Sequence, residues 1–423
     1  MVDEGVASSP QYLRRLNTTA VLRHMLEAGP VAARELIEAT GLTRATVLSL
    51  CDELVALGWL QELDDARVVG QQGKGRPARR YGLHPRAGYV IGVDAGQHRI
   101  TAVCVSLRGE ILAKVERLMR GDIDDPRARL RTTRAAVDSV LRKARVGKNE
   151  VLVTVAGVPA PTDDAGVSPQ GHDGYWAHMN PGFAHALASY GRVIVENDAN
   201  LAAIAENATG AGVGTSSCVT LLSGERLGSG LIIDGRILRG AHGGAGEMRL
   251  LDIVEGVGSA DGFGALAREW AREASAARRI PRSSPLGAVP VDELDAIDVF
   301  EAAAAGDATA SDILRRLGDR LARIGMVVAS LLDVERVVVA GAMAGALEPV
   351  VARAQEVLRA DSYEPLPEIV ASTLGGDGVI TGAIEHGLAV VRDDPLSLMR
   401  AAPEVDSGAE FGADSGAEGS LGG

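Results

Sequence analysis

Apolar positions in the first 58 residues recur at spacings of three and four, the period of helices with one buried face. Val21, Leu22, Met25 and Leu26 form one such stripe, with Asn17 placed to cap it and Gly29-Pro30 to stop it. A second, short helix is predicted over Ala32 to Ala39, closed by Gly41. Thr43 caps a third, with Val47, Leu50, Cys51, Leu54 and Leu57 on its inner face and Gly58 at its end. Between the second and third lies "ATGLT", the tight glycine turn of a helix-turn-helix. "WLQEL" and "RRYGLH" then read as short strands around the basic loop "GQQGKGRPAR". Three helices and a basic hairpin predict a winged helix-turn-helix over residues 1–86. The plainer alternative is a small helical bundle for protein contact.

From residue 87 the pattern alternates strands with helices, so the class is α/β. "GYVIGVDAGQHRITAVCVSLRGEILAKVERL" runs strand, glycine bend, strand, turn, strand, and "SSCVTLLSGERLGSGLIIDGRILRG" repeats that order about 130 residues later. In the second copy the strands are predicted at Cys218 to Leu222 and Leu231 to Asp234. Further strands are predicted at 150–156, 192–196 and in "ERVVVAGA" at 335–342, with helices at 127–145, 199–207 and 311–332. The duplication predicts two related lobes facing across a cleft: one over 87–198, to which 380–395 returns, and one over 199–379. "ASAARRIPRSSPLGAVP" at 275–290 reads as an exposed loop whose arginines form a solvated rim. Residues 396–423 are small, acidic and glycine-rich, a composition that predicts disorder.

Charge sharpens this division. The whole chain carries a net −13, yet residues 1–86 hold 11 Lys/Arg against 10 Asp/Glu, so the acidity lies in the remainder. Residues 66–86 contain six basic side chains and no acid, a local basicity suited to phosphates. The third helix would present Thr43, Arg44, Ala45, Thr46 and Ser49 to base edges and backbone. Lys74, Arg76 and Arg79 of the wing are placed to contact phosphates or the minor groove. Double-stranded DNA is the expected partner. Cys51, Cys104 and Cys218 are scattered in apolar stretches, which predicts buried thiols, no disulfide framework and a cytoplasmic home. No apolar run approaches the roughly 18 residues that span a membrane, and no signal-peptide pattern is present.

"GKGRPARR", "IGVDAG", "GVPAP", "VENDANLAAIAE", "GSGLIIDGRILRGAHGGAGE" and "VVVAGAMAG" together resemble the ROK family (repressors, open reading frames and sugar kinases), in its transcription-factor branch, over about residues 10 to 393. The resemblance implies a winged helix-turn-helix plus a two-lobed actin-like (ribonuclease H-like) sugar-kinase fold, a sugar in the cleft, and a dimer or a dimer of dimers. A kinase of the family uses the aspartate of "NDAN" as general base on a sugar hydroxyl. Asp198 matches it as a vestigial base, and also stands where it can cap a helix. Asn197 and Glu247 match sugar-contacting positions, and Asn180 in "HMNPG" matches another more loosely, an Asn-Pro turn explaining it almost as well.

The nucleotide side departs from the family pattern. Its first bend resembles D-x-G-G-T, but "DAGQHR" places Gln97 and His98 where a small glycine and a hydroxyl belong. Its second resembles G-T-G-x-G-G-G, but "GERLGSG" brings in Glu225 and Arg226. A carboxylate among phosphate-facing amides is repulsive, and both side chains fill space that the cradle needs. Arg226 either supplies compensating charge or pairs with Glu225. Where many relatives carry a histidine and a C-x-C-G-x-x-x-C-type cluster, the chain has Leu250 and no cysteine, so no metal is expected. Lone loop residues His172 and His242 read as solvated.

The expectation is therefore a sugar-responsive transcriptional regulator of the repressor kind, with a degenerate ATP site, no cofactor and no kinase activity. Two other readings stand beside it. One is an ATP-dependent sugar kinase carrying a DNA-binding head. The other is a regulator that answers to no sugar, to a phosphosugar or to a protein.

Overall fold

The computed structural model describes residues 9–63, 79–119, 125–171, 174–248, 251–361 and 365–398. The head is built from α1 (Pro10–Glu27), β1 (Val31–Ala32), α2 (Ala33–Thr40), α3 (Arg44–Ala56), β2 (Leu60–Leu63) and β3 (Arg80–Leu83). Its three strands lie in the order β1-β3-β2, all antiparallel. Helix α1 starts seven residues before Asn17, with Pro10 in its first turn and the Ser9 hydroxyl accepting from the Tyr12 amide at 3.1 Å. The apolar stripe hides this start, because Tyr12, Leu13 and Leu16 stand exposed off the core. Helix α2 ends on Gly41 at φ +69°, a left-handed conformation that a side chain would strain. Thr43 caps α3 through the Thr46 amide at 3.3 Å, as the sequence predicts. Val21, Leu22, Met25, Leu36, Val47, Leu50, Cys51, Leu54 and Tyr81 close the head's core.

The first lobe holds β4 (Tyr89–Ala95), β5 (Arg99–Ser106), β6 (Ile111–Leu118), α4 (Pro126–Ala144), β7 (Val151–Val158), α5 (Tyr175–Met179), α6 (Phe183–Ala186), β8 (Arg192–Asn197) and α7 (Asp198–Thr209). The second holds β9 (Cys218–Ser223), β10 (Leu227–Ile233), β11 (Arg236–Ile237), α8 (Phe263–Ala276), α9 (Ala296–Ala304), α10 (Ala308–Leu332), β12 (Arg336–Ala340), α11 (Glu348–Asp361), β13 (Glu368–Ala371) and α12 (Gly378–Asp393). The sheet orders β6-β5-β4-β7-β8 and β11-β10-β9-β12-β13 are the same topology twice: an antiparallel meander followed by two parallel strands. The repeat read from the sequence is thus a repeat of whole sheets. One element differs. Strand β10 begins at Leu227, paired with Ser223, so the glycine-rich bend shrinks to the three residues Gly224, Glu225 and Arg226.

Each sheet's closing helix crosses to the other sheet. Helix α7 follows β8 but packs on β9 and β10, while α12 follows β13 but packs on β4 and β7. Gly92 of β4 leaves room for Ile380 and Ile384 of α12. The two helices cross where Gly382 lies against the Leu201 backbone, so closely that an added Cβ would overlap the carbonyl. At about 1.5 Å per residue, α12 reaches about 24 Å. Its first turn stands beside the cleft and its last turn meets the head. There Arg23 of α1 donates to the carbonyls of Arg392 (Nε, 2.9 Å) and Asp393 (Nη2, 2.6 Å), and Arg15 pairs with Asp394 at 3.3 Å. A cation at a helix C-terminus satisfies carbonyls that lack a helical partner.

The predicted disordered tail starts too early. Pro395–Leu398 forms a turn, and Leu396 and Leu398 pack against the shared core of head and first lobe. The remainder of the tail lies outside the described residues. All three cysteines are buried. No helix among the described residues is long and apolar enough to cross a membrane.

Candidate functional site

A cavity of about 580 Å3 lies between the lobes, lined by the two bends, the start of α7 and the start of α12. Beside the cavity, β8 delivers Glu196 and Asn197 into the first turn of α7. Asn197, not Asp198, is the cap: its Oδ1 accepts from Ala199 (2.9 Å) and Asn200 (3.1 Å). Its Nδ2 makes no hydrogen bond among the described residues. Asp198 also accepts from the Ala199 amide, at 2.8 Å. Burial pushes the Asp198 carboxyl up to about 8, and the nearby charge of Asp94 adds to it. Asp94 is raised by burial to about 6, the positive charges of Arg99 and Arg129 holding it back. Asp198 therefore holds its proton to higher pH than an ordinary carboxyl. A protonated carboxyl donates to a ligand oxygen rather than accepting its proton.

Two residues that the sequence reasoning passed over fix this turn. Glu196 is buried and receives Arg239 at 2.7 and 2.8 Å, an ion pair from the first sheet to the loop after β11. Its other oxygen accepts from the Asn197 amide and from Asn200 Nδ2, both at 2.9 Å. The pair spans 43 residues, a distance that no local periodicity reports. Glu247 lines the cavity from the same loop and is exposed. Asn180 does not join them. It is 7% exposed and turned inward, its Nδ2 donating to the Gly166 carbonyl and the Ser168 hydroxyl at 3.0 and 2.9 Å. The Asn-Pro turn accounts for it.

The second bend of the cavity is braced by its own residues. The hairpin of Glu225 and Arg226 is stitched to the segment before α8: Gly262 donates to the Glu225 carbonyl (3.0 Å), Leu227 to Ala260 (2.8 Å), and the Phe263 amide to the Ser223 hydroxyl (2.9 Å). The Gly224 amide turns to the Arg226 carbonyl at 3.1 Å. The Gly224 and Leu227 amides of the second bend are thus bonded within the protein. The Glu225 carboxylate is held by Arg268 of α8 at 2.8 Å, which also meets Asp295 at 3.4 Å. Arg226 crosses the cavity instead, its guanidinium 4.9 Å from the ring centre of Tyr175 in the other lobe. Of the two roles the sequence left open for Arg226, pairing with Glu225 gives way to these two contacts. Gln97 and His98 line the cavity at the first bend, whose carbonyls at Ala95, Gly96 and Gln97 accept from the buried Arg129 of α4.

Where relatives carry the cysteine cluster, Arg320 of α10 holds the loop. It is 1% exposed and donates to the carbonyls of Val257 (2.9 Å), Ser259 (2.7 Å) and Asp261 (3.1 Å). No group of His, Cys, Asp and Glu suited to a metal occurs among the described residues, and Leu250 and His172 fall outside them.

On the head, Thr43, Arg44, Ala45 and Ser49 are exposed and Thr46 half-buried, opposite the buried face of α3. Lys74 and Arg76 lie outside the described residues. Arg79 is already engaged, with Glu62 at 2.7 Å through two nitrogens and with Asp52 at 2.7 Å. A guanidinium shared by two carboxylates would have to break those pairs to grip a phosphate.

Two lobes of duplicated topology around one cavity, bearing a winged helix-turn-helix, define an actin-like sugar-kinase fold fitted with a DNA-binding head. Residues 90–387 match the ROK family, and residues 16–64 match the IclR helix-turn-helix domain. The chain belongs to the ROK family, in its transcriptional-regulator branch. It is 26% identical over 341 residues to the DNA-binding transcriptional dual regulator NagC of Escherichia coli strain K12, covering 78% of this chain and 81% of that protein. Among solved structures it is similar to a ROK family glucokinase from Streptomyces griseus in complex with glucose and AMPPNP (TM-score 0.59, 27% identity, 71% of this chain and 99% of that one). A ROK family transcriptional regulator, a homologue of the E. coli MLC protein, superposes over 90% of this chain and 99% of its own, with a TM-score of 0.66 at 21% identity.

Proposed function

We propose that this protein is a sugar-responsive repressor that binds operator DNA through α3 and its wing, and whose cleft binds a sugar without phosphorylating it. The carrying observation is the altered second bend: the Gly224 amide turned to the Arg226 carbonyl, Glu225 clamped by Arg268, and Arg226 laid across to Tyr175. Asn197, Asp198 and Glu247 are the sugar ligands in this reading, Asp198 as a donor at neutral pH. Sugar binding changes the lobe angle, and α12, which spans from the cavity to Arg23 of the head, passes the change on. Paired heads in a dimer or tetramer suit a palindromic site.

A second reading, a sugar kinase with a DNA-binding head, is favoured by Asp198 standing at the position of the family base. Phosphoryl transfer from ATP to a panel of hexoses, pentoses and N-acetylhexosamines separates the two. The repressor reading expects no product above an enzyme-free blank. Sugar-dependent ADP release that vanishes in Asp198→Ala would establish the kinase instead.

A further inference from the structure

A second cavity, of about 510 Å3, lies on the second lobe behind the loop braced by Arg320. Three arginines of α10 face it at helical spacing: Arg316, Arg320 and Arg323. None has a carboxylate within ion-pair distance among the described residues. Asp319, on the same wall, is committed to Arg353 at 2.7 Å and Arg315 at 3.0 Å. Asp252 and Glu255 stand exposed on the rim.

The three guanidinium groups are held in place before anything binds. Arg316 lies 3.9 Å over the ring centre of Trp270, and Arg323 donates to the Gly256 carbonyl at 3.3 Å. Arg320 at the floor spends Nε and Nη2 on loop carbonyls, while its buried Nη1 has no hydrogen-bond partner. Burial without a paired carboxylate also lowers this guanidinium to about 10, where arginine is ordinarily well above 12. Arg316 and Arg323 are exposed, and theirs are the guanidinium groups that an incoming oxyanion reaches, with Arg320 bracing the loop beneath them.

We propose that this three-arginine cavity is a second ligand site, for a compact oxyanion of the phosphate class, separate from the cleft between the lobes. Planar guanidinium groups suit the several oxygens of a phosphate. The volume exceeds that of a bare phosphate and leaves room for a small organic body against Trp270. The braced loop continues into Ala260 and Asp261, which line the cleft, so an occupant here stiffens one wall of the cleft.

The test uses the full chain at fixed ionic strength, titrated calorimetrically with inorganic phosphate, glycerol 3-phosphate, or chloride as the blank. Arg320→Ala would remove three loop contacts, so the informative variant is R316A/R323A, both side chains being exposed. Saturable phosphate binding that weakens about tenfold or more in R316A/R323A and is unchanged in Arg226→Ala supports the site. Tighter binding of glycerol 3-phosphate identifies a phosphate monoester as its ligand, and equal binding a free oxyanion. Heat no greater than with chloride, or equal affinity in R316A/R323A, overturns it. Loss in Arg226→Ala with retention in R316A/R323A also overturns it, by placing the phosphate in the cleft.

Discussion

Replacing Asp198 by Asn isolates the cost of a carboxylate at the mouth of α7. The carboxyl titrates at about 8 in the folded chain against about 3.9 unfolded. Between those values the native state keeps a proton that the unfolded state has released. Stability therefore falls as pH rises through this window, by at most about 1.4 kcal/mol per pH unit for one group. Asp198 is half-buried beside a water-accessible cavity, so a discounted cost of about 2 kcal/mol between pH 5 and 8.5 is the working figure. Asparagine keeps an oxygen for the Ala199 amide (2.8 Å) and carries no charge at any pH. The variant's gain in melting temperature over wild type should grow by roughly 2 to 3 °C between pH 5 and pH 8.5. Thermal unfolding followed by circular dichroism across that range reads the gap directly. A gap independent of pH, or one that narrows as pH rises, refutes the idea that the cleft holds this carboxyl protonated.

Three further outcomes follow from the same geometry. Arg23→Ala removes two bonds to the end of α12, a loss of about 1 kcal/mol at an exposed joint. Sugar binding by calorimetry should stay at its wild-type value while sugar-driven DNA release weakens severalfold; an undiminished release would remove α12 from the path. Arg44→Ala should weaken DNA binding by about 1–3 kcal/mol if it reads a base, measured by fluorescence anisotropy, with unchanged affinity excluding α3. Gly382→Ala should destabilise by about 1–3 kcal/mol through overpacking on Leu201, visible in a denaturant midpoint, and an unchanged midpoint would deny the close helix crossing.

Much of this was legible in the sequence because it is local. Caps such as Thr43, the turn at Gly41 and the alternating strands announce themselves within a few residues, and the internal repeat exposes the duplicated sheets. The start of α1 was not legible, since its first two turns leave the core and lose the apolar period. At the site, the sequence placed Glu225 and Arg226 in the second bend, but not where their side chains go. Their partners, Arg268 and Tyr175, lie 43 residues after and 51 residues before them. Glu196–Arg239 and Arg79–Asp52 were missed for the same reason: long-range ion pairs leave no periodic trace. Asn180 stood between two readings because a buried turn asparagine and a ligand asparagine look alike in one dimension.

The central claim is that a sugar in the cleft moves the head off DNA without any phosphoryl transfer. Full-length protein bound to DNA selected from a random pool, titrated with sugars in the presence and absence of MgATP, tests it in one vessel. The account predicts release by at least one sugar, with the same midpoint whether or not ATP is present and with no ADP formed. Release that requires ATP, or ADP accumulating in step with it, would contradict it.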